Sequence, residues 1–408
     1  MIEKNEVIAM ANGLSLSPDT VEKDYVLSWL LWGINNHKGL SLAWFFKGGT
    51  SLKKCFFETF RFSEDLDFTV TNAEHLSEKF LREAFHEISD AIYEATGIEF
   101  FKERFKFKVL PKENGKISVQ GTIHYNGPLR RRQGASASFA SIKLDLTTNE
   151  VIVLQSETRR VHHPYSDEPQ TGILANCYAF EEVVAEKIRA LGERARPRDL
   201  YDVVHFFRNR DMIENPQLVY NVLTKKCSYK NIAVPTYLSI KNHEKLEELD
   251  SQWHNMLAHQ LPTLPPLESF WQDLEPCFAW IEGSLKEQHL VSPTDMDGEI
   301  FYPGRITDAF SIDSVIHKIQ FAAANRMCLT LTYKDKIRTV EPLSFRQAKN
   351  GNRVFYAYEP ESNQAKAFSL LKIQDVKITN TPYSERQYPI EINASGHITM
   401  PPTKRRFN

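Results

Sequence analysis

One stretch, FKGGTSLKKCFFETFRFSEDLDFT at residues 46–69, constrains the fold more than any other. Its last part alternates polar and apolar residues, with Leu66 and Phe68 among the apolar ones. This period of two predicts a β-strand with one buried face. Asp65 and Asp67 then project together from the opposite face. Two carboxylates held this close repel each other, and a divalent cation, Mg²⁺ or Mn²⁺, is the commonest reason for keeping them.

The Lys-Gly-Gly-Thr-Ser segment upstream predicts an anion-binding turn. Gly48 and Gly49 let the backbone approach a ligand where a Cβ would obstruct it. Thr50 and Ser51 are predicted to open a helix and cap it, which leaves N–H groups and the positive end of the dipole for phosphate. The turn, the helix and the paired carboxylates occur in the order that a nucleotidyltransferase needs. Each signal alone is more often a plain turn or a solvated strand face.

A third carboxylate, Asp145, occupies a polar position of the alternating segment SIKLDLTT. Two-metal phosphoryl chemistry uses such a residue because one acid must also receive the proton of the attacking hydroxyl. The sequence does not establish that this strand neighbours the strand of Asp65 and Asp67. Without that neighbour, Asp145 is interpreted as a surface aspartate.

The segment FEEVVAEKIRALGERARPRDLYDVVHFF predicts two amphipathic helices separated by Gly192. Lys187 lies at the edge of the first apolar stripe, and Asp199 and Asp202 lie off the apolar face of the second. In one interpretation Lys187 reaches a triphosphate and the acids orient it. In the other, the lysine extends into solvent and the acids face water.

Composition places the chain among ordinary globular proteins of two or three domains. It has 408 residues, 42% of them hydrophobic, and a formal net charge of −2. Contact with nucleic acid must therefore come from local patches. Arg130, Arg131 and Arg132 form one candidate, a glycine-flanked basic loop that either binds phosphate or is a solvated turn.

The cysteine pattern and the apolar runs bear on location. The five cysteines are scattered without C-x-x-C spacing, which argues against a disulfide framework or a zinc site. The N-terminal segment lacks the pattern of a signal peptide. The longest apolar run, residues 25–34, is too short to span a membrane. A cytoplasmic protein without membrane association is expected.

The remaining N-terminal pattern predicts further elements around these motifs. The charged cluster Glu22-Lys23-Asp24 at the start of a helix is expected to be solvated rather than to form a site. The predicted helices cover about 18–35 and 74–97, and the predicted strands 98–110, 116–125, 138–146 and 150–154.

These motifs resemble the AbiEii/AbiGii-type nucleotidyltransferase toxins, a branch of the DNA polymerase beta-like superfamily. The resemblance rests on KGGTSLKKCF, RFSEDLDF, VEKDYVLSWLL, KLDLT, EEVVAEKIRAL and RPRDLYDVVHF, and it covers roughly residues 1–285. It implies an α+β fold. A polymerase beta-like catalytic domain, with a mixed sheet and flanking helices, is expected at 1–170, and a helical lobe that completes the nucleotide site at 171–285.

The resemblance also implies roles for individual residues. Characterised relatives act as toxins of toxin–antitoxin systems, and some add nucleotides to the 3′ end of tRNA. The chain is therefore expected to use an NTP and Mg²⁺ or Mn²⁺, to modify RNA, with tRNA the first expectation, and to have a cognate antitoxin. The alternatives are nucleotidylation of protein, or a defence regulator that senses nucleotides or nucleic acid with an inactive transferase domain. By position, the resemblance assigns phosphate binding to Gly48, Gly49, Thr50, Ser51 and Lys187, metal binding to Asp65, Asp67 and Asp145, and the late acidic position to Asp199 or Asp202.

The C-terminal part is predicted to be a separate small domain. Residues 286–304 have the composition of a linker, and one helix with five short strands in 305–408 suggests an SH3-like barrel. This part resembles a WYL domain, a regulatory module that binds nucleic acid or nucleotide-like ligands, although Phe-Tyr-Ala stands where Trp-Tyr-Leu is usual. The alternative places the tyrosines in the barrel core. The candidate ligand-binding residues are Tyr333, Arg338, Arg353 and Tyr356.

Overall fold

The chain forms two compact units. The first contains Met1–Phe56, Arg61–Glu186 and Val222–Ala233, and the second contains Phe57–Phe60, Lys187–Asn221 and Val234–Asn408. The boundary at Glu186 falls inside a helix, and the domain limits expected from the sequence stay predictions. A computed structural model of the chain describes residues 1–58, 60–111, 116–129, 139–285, 296–301, 312–348, 350–384 and 388–392.

Capping residues mark the start of one long helix and the end of another. Ser17 accepts a hydrogen bond from the Thr20 N–H and precedes Pro18, and Gly97 ends a later helix in the left-handed conformation. No helix in the described ranges is both long and apolar enough to cross a membrane. The described helices are α1 (Lys4–Leu14), α2 (Pro18–Asn36), α3 (Gly48–Cys55), α4 (Glu78–Thr96), α5 (Phe180–Arg194), α6 (Pro197–Arg208), α7 (Pro216–Lys230), α8 (Tyr237–Lys241), α9 (Leu246–Leu257), α10 (Leu267–Ile281) and α11 (Ile312–Ala324).

A mixed sheet organises the first unit. In the described residues its order is β3-β5-β6-β2-β1-β8-β7, with β4 paired to β5. β2 is parallel to β6 and antiparallel to β1, while β1 is parallel to β8. The strands are β1 (Trp44–Lys47), β2 (Asp65–Val70), β3 (Glu99–Phe100), β4 (Lys106–Pro111), β5 (Ile117–Asn126), β6 (Ala140–Thr147), β7 (Glu157–Arg160) and β8 (Leu174–Cys177).

One face of this sheet forms the core of the first unit. Leu66 and Leu144 are register partners on β2 and β6, and both are buried. On α4, Phe85 contacts the rings of Trp44 and Phe107 at centroid distances of 6.3 and 5.6 Å. Burying each such side chain contributes about 1.5–3 kcal/mol. This face therefore holds the sheet against its helices and leaves the other face for polar side chains.

Helices and a second sheet make up the second unit. Tyr201 and Arg208, both on α6, bond to Asn325, which follows α11, at 2.8 and 3.0 Å. Arg208 also pairs with Asp273 of α10 at 2.8 Å, so the three helices are tied together by buried polar contacts.

The second sheet is antiparallel throughout its described pairings, with order β13-β12-β11-β10-β14 and β9 paired to β11. It is compatible with the predicted small β-domain, and the expected α+β class with a mixed sheet is confirmed. The WYL assignment stays a prediction. The strands are β9 (Glu299–Ile300), β10 (Met327–Tyr333), β11 (Lys336–Gln347), β12 (Arg353–Glu359), β13 (Gln364–Ser369) and β14 (Ile373–Pro382).

Candidate active site

Three aspartates lie on the polar face of the first sheet. Asp67 is the register partner of Asp145 on the parallel neighbour β6, and Asp65 precedes Asp67 by two positions. Partners in register point to the same side of a sheet, as do residues two apart in a strand. All three side chains are half-buried. Asp65, Asp67 and Asp145 are called the acidic face below.

The glycine turn lies directly beside this face because β1 runs without a loop into α3. Gly48 has φ +79°, a conformation that costs a residue with a Cβ roughly 1–2 kcal/mol. A Cβ at Gly48 would also overlap the carboxylate of Asp67, and one at Gly49 would lie 2.7 Å from Nη2 of Arg61. Glycine at Gly48 therefore avoids both backbone strain and a clash with a carboxylate, and glycine at Gly49 leaves room for a buried guanidinium.

The hydroxyls of Thr50 and Ser51 act differently from the prediction. The N-cap of α3 is Lys47, and no side chain caps the helix. Thr50 donates to the carbonyl oxygen of Asp65, and Ser51 donates to that of Gly48 at 2.8 Å. Both side chains are buried. The capping prediction is wrong, because the helix starts two residues earlier and turns these hydroxyls toward carbonyls. They fix the turn to β2, while the first-turn N–H groups have no side-chain cap.

Lys47 completes the row on the polar face as the register partner of Asp67 on β1. Its Nζ lies 3.0 Å from Glu186 and 4.0 Å from Glu150. Burial acts to lower the pKa of Lys47, but Glu186, Glu150 and Asp67 outweigh it and raise that pKa above its ordinary value. Lys47 is therefore held in its charged form. The sequence patterns did not assign Lys47 a role, although its position immediately before the two glycines was a signal that it lies beside the turn.

Two lysines of α7 neutralise the acids around Lys47. Lys226 lies 3.1 Å from Glu186 and 2.9 Å from Glu182, and Lys230 lies 3.1 Å from Glu150. Buried carboxylates need such partners, since an unpaired one costs several kcal/mol. Glu186 and Glu150 are therefore each paired with an α7 lysine as well as with Lys47.

Glu182 also explains why the predicted strand at 150–154 does not form. Its carboxylate accepts the backbone N–H of Val153 at 2.9 Å and that of Leu154 at 2.8 Å. A side chain thus takes the donors that a neighbouring strand would need. The segment after β6 is held against α5 instead.

Electrostatics within the acidic face reflect its like charges. Burial is the main cause that raises the pKa of Asp145, and the negative charge of Asp65 adds to it. Lys143 and Lys47 act in the opposite direction but do not cancel the effect. The face therefore carries an electrostatic cost that a bound cation would remove.

The acidic face fits a hard divalent cation by the chemistry of its donors, since carboxylate oxygens are the ligands that Mg²⁺ prefers. Within the described ranges, no group of three or more His, Cys, Asp or Glu residues is assembled closely enough to hold a metal ion. The three carboxylates thus lie on one sheet face beside the turn, and they do not form a complete set of metal ligands.

A second ion pair anchors the far end of α3. Lys54 is fully buried, with Nζ 2.5 Å from Asp24 and 3.3 Å from the carbonyl oxygen of His162. Tyr165 donates to the same Asp24 oxygen at 2.9 Å. The expectation that Glu22 and Asp24 are solvated is wrong, since both are buried and Glu22 accepts the Leu129 N–H. Lys54, Asp24 and Tyr165 are called the α3 anchor below.

The predicted lysine and late acids come together within the second unit. Nζ of Lys187 lies 2.7 Å from Asp202 and 3.4 Å from Asp199. Arg194 donates two hydrogen bonds to Asp199, at 2.6 and 2.9 Å. Both aspartates are fully buried. The interpretation in which these acids face water is therefore wrong, and they orient Lys187.

The four C-terminal candidates are spread along the second sheet. Arg338 pairs with Glu359 at the end of β12 at 2.6 Å, whereas Arg353 begins that strand. Six residues of strand separate the two ends by about 20 Å. The Tyr333 hydroxyl accepts the Ser369 N–H, and that of Tyr356 accepts the Asp297 N–H. The structure does not bring the four candidates into one site.

Arg130, Arg131 and Arg132 fall outside the described residues.

The chain matches a protein-family model and is similar to a solved structure. The family model described as "Nucleotidyl transferase AbiEii toxin, Type IV TA system" matches residues 29–278, more than half of the 408 residues. Among solved structures, MenT4, a nucleotidyltransferase toxin from Mycobacterium tuberculosis H37Rv, matches with 19% identity and a TM-score of 0.42. That match covers 69% of this chain and 90% of MenT4. No curated protein gives a significant match.

Proposed function

Because this chain belongs to the AbiEii family of nucleotidyl transferase toxins, we propose that its acidic face transfers a nucleotide from an NTP to an acceptor hydroxyl. The enzyme class, nucleotidyltransferase, follows from the family. The observation that carries the proposal is the register that aligns Lys47, Asp67 and Asp145 beside the Gly48 turn. Phosphoryl transfer depends on positioning and on charge neutralisation, and this row offers both.

The triphosphate is bound by backbone and by lysine. First-turn N–H groups of α3, reached over Gly48 and Gly49, bind phosphate oxygens, and Lys47 adds a positive charge. Lys187, oriented by Asp199 and Asp202, is the second phosphate-binding lysine. Thr50 and Ser51 contribute by shaping the turn, since their hydroxyls are used within it.

The three carboxylates divide the chemistry between them. Asp65 and Asp67 would hold Mg²⁺ or Mn²⁺, with Asp145 beside them on the same sheet face, and the ion would supply positive charge to the phosphates of the NTP. Asp145 takes the proton of the acceptor hydroxyl, a role supported by its place on the neighbouring strand as the register partner of Asp67. The hydroxyl oxygen forms a bond to the α-phosphorus, the bond from that phosphorus to the β-phosphate bridging oxygen breaks, and pyrophosphate leaves.

The acceptor in this proposal is RNA, with tRNA the first candidate. The chain acts in the cytoplasm as the toxin of a toxin–antitoxin pair, restrained by a cognate antitoxin. Its family is described as a type IV toxin–antitoxin system, which supports this role. Nucleotidylation of a protein hydroxyl would use the same acidic face, and the experiment separates the two acceptors.

The test follows label from each of the four α-³²P-labelled NTPs into RNA or protein, with Mg²⁺ and total RNA or lysate. The wild-type protein is expected to label RNA, and the Asp65→Ala/Asp67→Ala variant is expected to label nothing. The matched control is Asp90→Ala/Asp335→Ala, which removes two exposed carboxylates. Label transfer undiminished in the Asp65/Asp67 variant would overturn the site. Absence of transfer under every condition would favour a protein that only binds nucleotide.

A further inference from the structure

The polar face of the first sheet continues beyond the acids onto β5 and β4. Across the row of Asp145, the register partners are Gln120 on β5 and then Lys108 on β4. In the row of Asp65, Lys143 of β6 comes first and Lys106 of β4 lies two strands further. Register partners share a face, so these side chains project from the same side as the acidic face.

Three lysines dominate this extension. Lys106, Lys108 and Lys143 are all exposed, whereas the intervening Phe107 and Leu144 are buried on the other face. Nearby Lys102 pairs with Asp90 at 2.5 Å, but none of the three lysines pairs with a carboxylate of the described residues. They are called the lysine face below.

The arrangement separates charge along the sheet. Strands lie about 4.8 Å apart, so Lys108 stands roughly 10 Å from Asp145 and roughly 14 Å from Asp67. Negative charge is concentrated on β2 and β6, and positive charge extends away from it over β6 and β4. A surface of this kind attracts an extended polyanion whose end enters the acidic face.

We propose that Lys106, Lys108 and Lys143 bind the phosphate backbone of a single-stranded RNA acceptor and direct its terminal hydroxyl to Asp145. The inference rests on the proposed function, because it requires that the acceptor be RNA. It assigns the acceptor a binding surface distinct from the NTP site at the Gly48 turn. Gln120 is exposed between Asp145 and Lys108, and it contributes a neutral amide donor near the terminal nucleotide of the RNA.

The NTP itself does not account for the lysine face. Its phosphates are assigned to the turn after β1, two strands on the far side of β6 in the sheet order. Lys106 and Lys108 on β4 lie four strands from β1, beyond the reach of a lysine side chain, and Lys143 on β6 lies two strands from it. An extended strand with one charge per nucleotide matches lysines distributed over several ångströms better than a compact triphosphate does.

The experiment measures binding and transfer separately. Binding of a fluorescein-labelled single-stranded RNA with a free 3′ end is followed by anisotropy over a range of KCl concentrations. Transfer to the same RNA gives KM for RNA and for NTP. The test variant is Lys106→Gln/Lys108→Gln/Lys143→Gln. The control is Lys4→Gln/Lys38→Gln/Lys79→Gln, which removes three exposed lysines from the helical side with the same change in charge.

In the test variant, we expect Kd and KM for RNA to rise at least about tenfold, with KM for NTP unchanged. The slope of log Kd against log[KCl] should fall by about 2, because each single-strand phosphate contact contributes roughly 0.7. The control should change neither quantity by more than about twofold.

Two results would overturn the inference. In one, the control variant loses RNA binding as strongly as the test variant does. In the other, the test variant binds RNA as tightly as the wild type does. Failure of the proposed function looks different. Wild-type protein would then bind RNA through the lysine face without transferring nucleotide to it. Wild-type protein that labels protein and does not bind RNA would overturn both.

Discussion

The two ends of α3 carry charged side chains in different surroundings. At its C-terminal end, Lys54 and Asp24 form a buried ion pair of opposite charges, completed by Tyr165. At its N-terminal end, carboxylates of like charge share a half-open sheet face, with Lys47 beside them. A buried pair can fix geometry because breaking it leaves an uncompensated charge. Like charges on an open face cost stability by themselves and suit a site whose ligand supplies the missing charge.

The comparison implies that the helix is held at one end so that the other can bind. Substitutions in the α3 anchor should therefore lower the free energy of unfolding. Substitutions in the acidic face should instead reduce the stabilisation that a bound cation provides. The following predictions test this division, beginning with the largest expected effect.

Breaking the α3 anchor should destabilise the protein strongly. Lys54→Met leaves Asp24 buried without its cation, and we expect a loss of about 3–5 kcal/mol in the free energy of unfolding. The Asp24→Asn/Lys54→Met variant removes both charges and keeps a partner for Tyr165, so it should recover most of that loss. Urea unfolding of the two variants measures both. If Lys54→Met lowered the free energy of unfolding by less than about 1 kcal/mol, the ion pair would not hold α3 in place.

Removing charge from the acidic face should leave the free energy of unfolding intact and abolish the response to divalent cation. Without divalent cation, Asp65→Asn/Asp67→Asn should be at least as stable as wild type because a repulsion is gone. With Mg²⁺ or Mn²⁺ at 100 times its Kd, only the wild type should gain about 2.7 kcal/mol. Thermal unfolding with and without the cation measures this, and Asp90→Asn/Asp335→Asn serves as the control. An equal gain in the Asp65/Asp67 variant would place the cation elsewhere.

Two glycines with the same backbone conformation separate strain from crowding. Gly48 and Gly97 both have φ +79°, but a Cβ at Gly97 meets no atom within 4 Å. Gly97→Ala should therefore cost about 1 kcal/mol, and Gly48→Ala about 2 kcal/mol together with reduced cation response, since its Cβ displaces Asp67. Unfolding free energies of both variants measure the difference. Equal costs would mean that Asp67 moves aside freely.

The smallest effect concerns an ion cluster of the second sheet that resembles the α3 anchor. Burial acts to raise the pKa of Glu359, but bonds from Lys366, Ser362 and Arg338 outweigh it and lower that pKa to about 2. A lowered carboxyl pKa adds stability above its unfolded value near 4.5, and this stability is lost as the pH falls toward 2. Because Lys366 and Arg338 are partly exposed, screening should limit the contribution to about 1 kcal/mol.

The measurement for Glu359 is the pH dependence of unfolding between pH 2 and 6. Glu359→Gln should lose less stability than wild type as the pH falls through this range. If the unfolding free energies of the two proteins changed equally with pH, the bonds from Lys366, Ser362 and Arg338 would not stabilise the Glu359 carboxylate.

Local patterns in the sequence were enough to predict most elements. Alternation identified β2 and β6, and the predicted helix at about 18–35 corresponds to α2 at Pro18–Asn36. The paired carboxylates and the glycine turn were found in the same way. Such signals succeed because they are encoded within a few residues of chain.

What the sequence could not supply is decided by distant partners. The adjacency of Asp67 and Asp145 depends on which strands pair across 78 residues. Asp24 looked solvated because its burial depends on α3 and on the segment that carries Tyr165. Residues 150–154 form an apolar run typical of a strand, yet Glu182 accepts the N–H groups of Val153 and Leu154. These features follow from tertiary packing, which single-sequence patterns do not contain.

The most direct test of the division compares nucleotide transfer by two variants, each measured per folded molecule. Asp67→Asn alters the acidic face, and Asp24→Asn/Lys54→Met alters the α3 anchor at nearly constant volume. With a labelled NTP, Mg²⁺ and RNA, Asp67→Asn should lose at least about a hundredfold in rate while remaining folded. The anchor variant should keep its rate within about tenfold. Full activity in Asp67→Asn, or a greater loss in the anchor variant, would contradict the assignment of the acidic face as the catalytic centre.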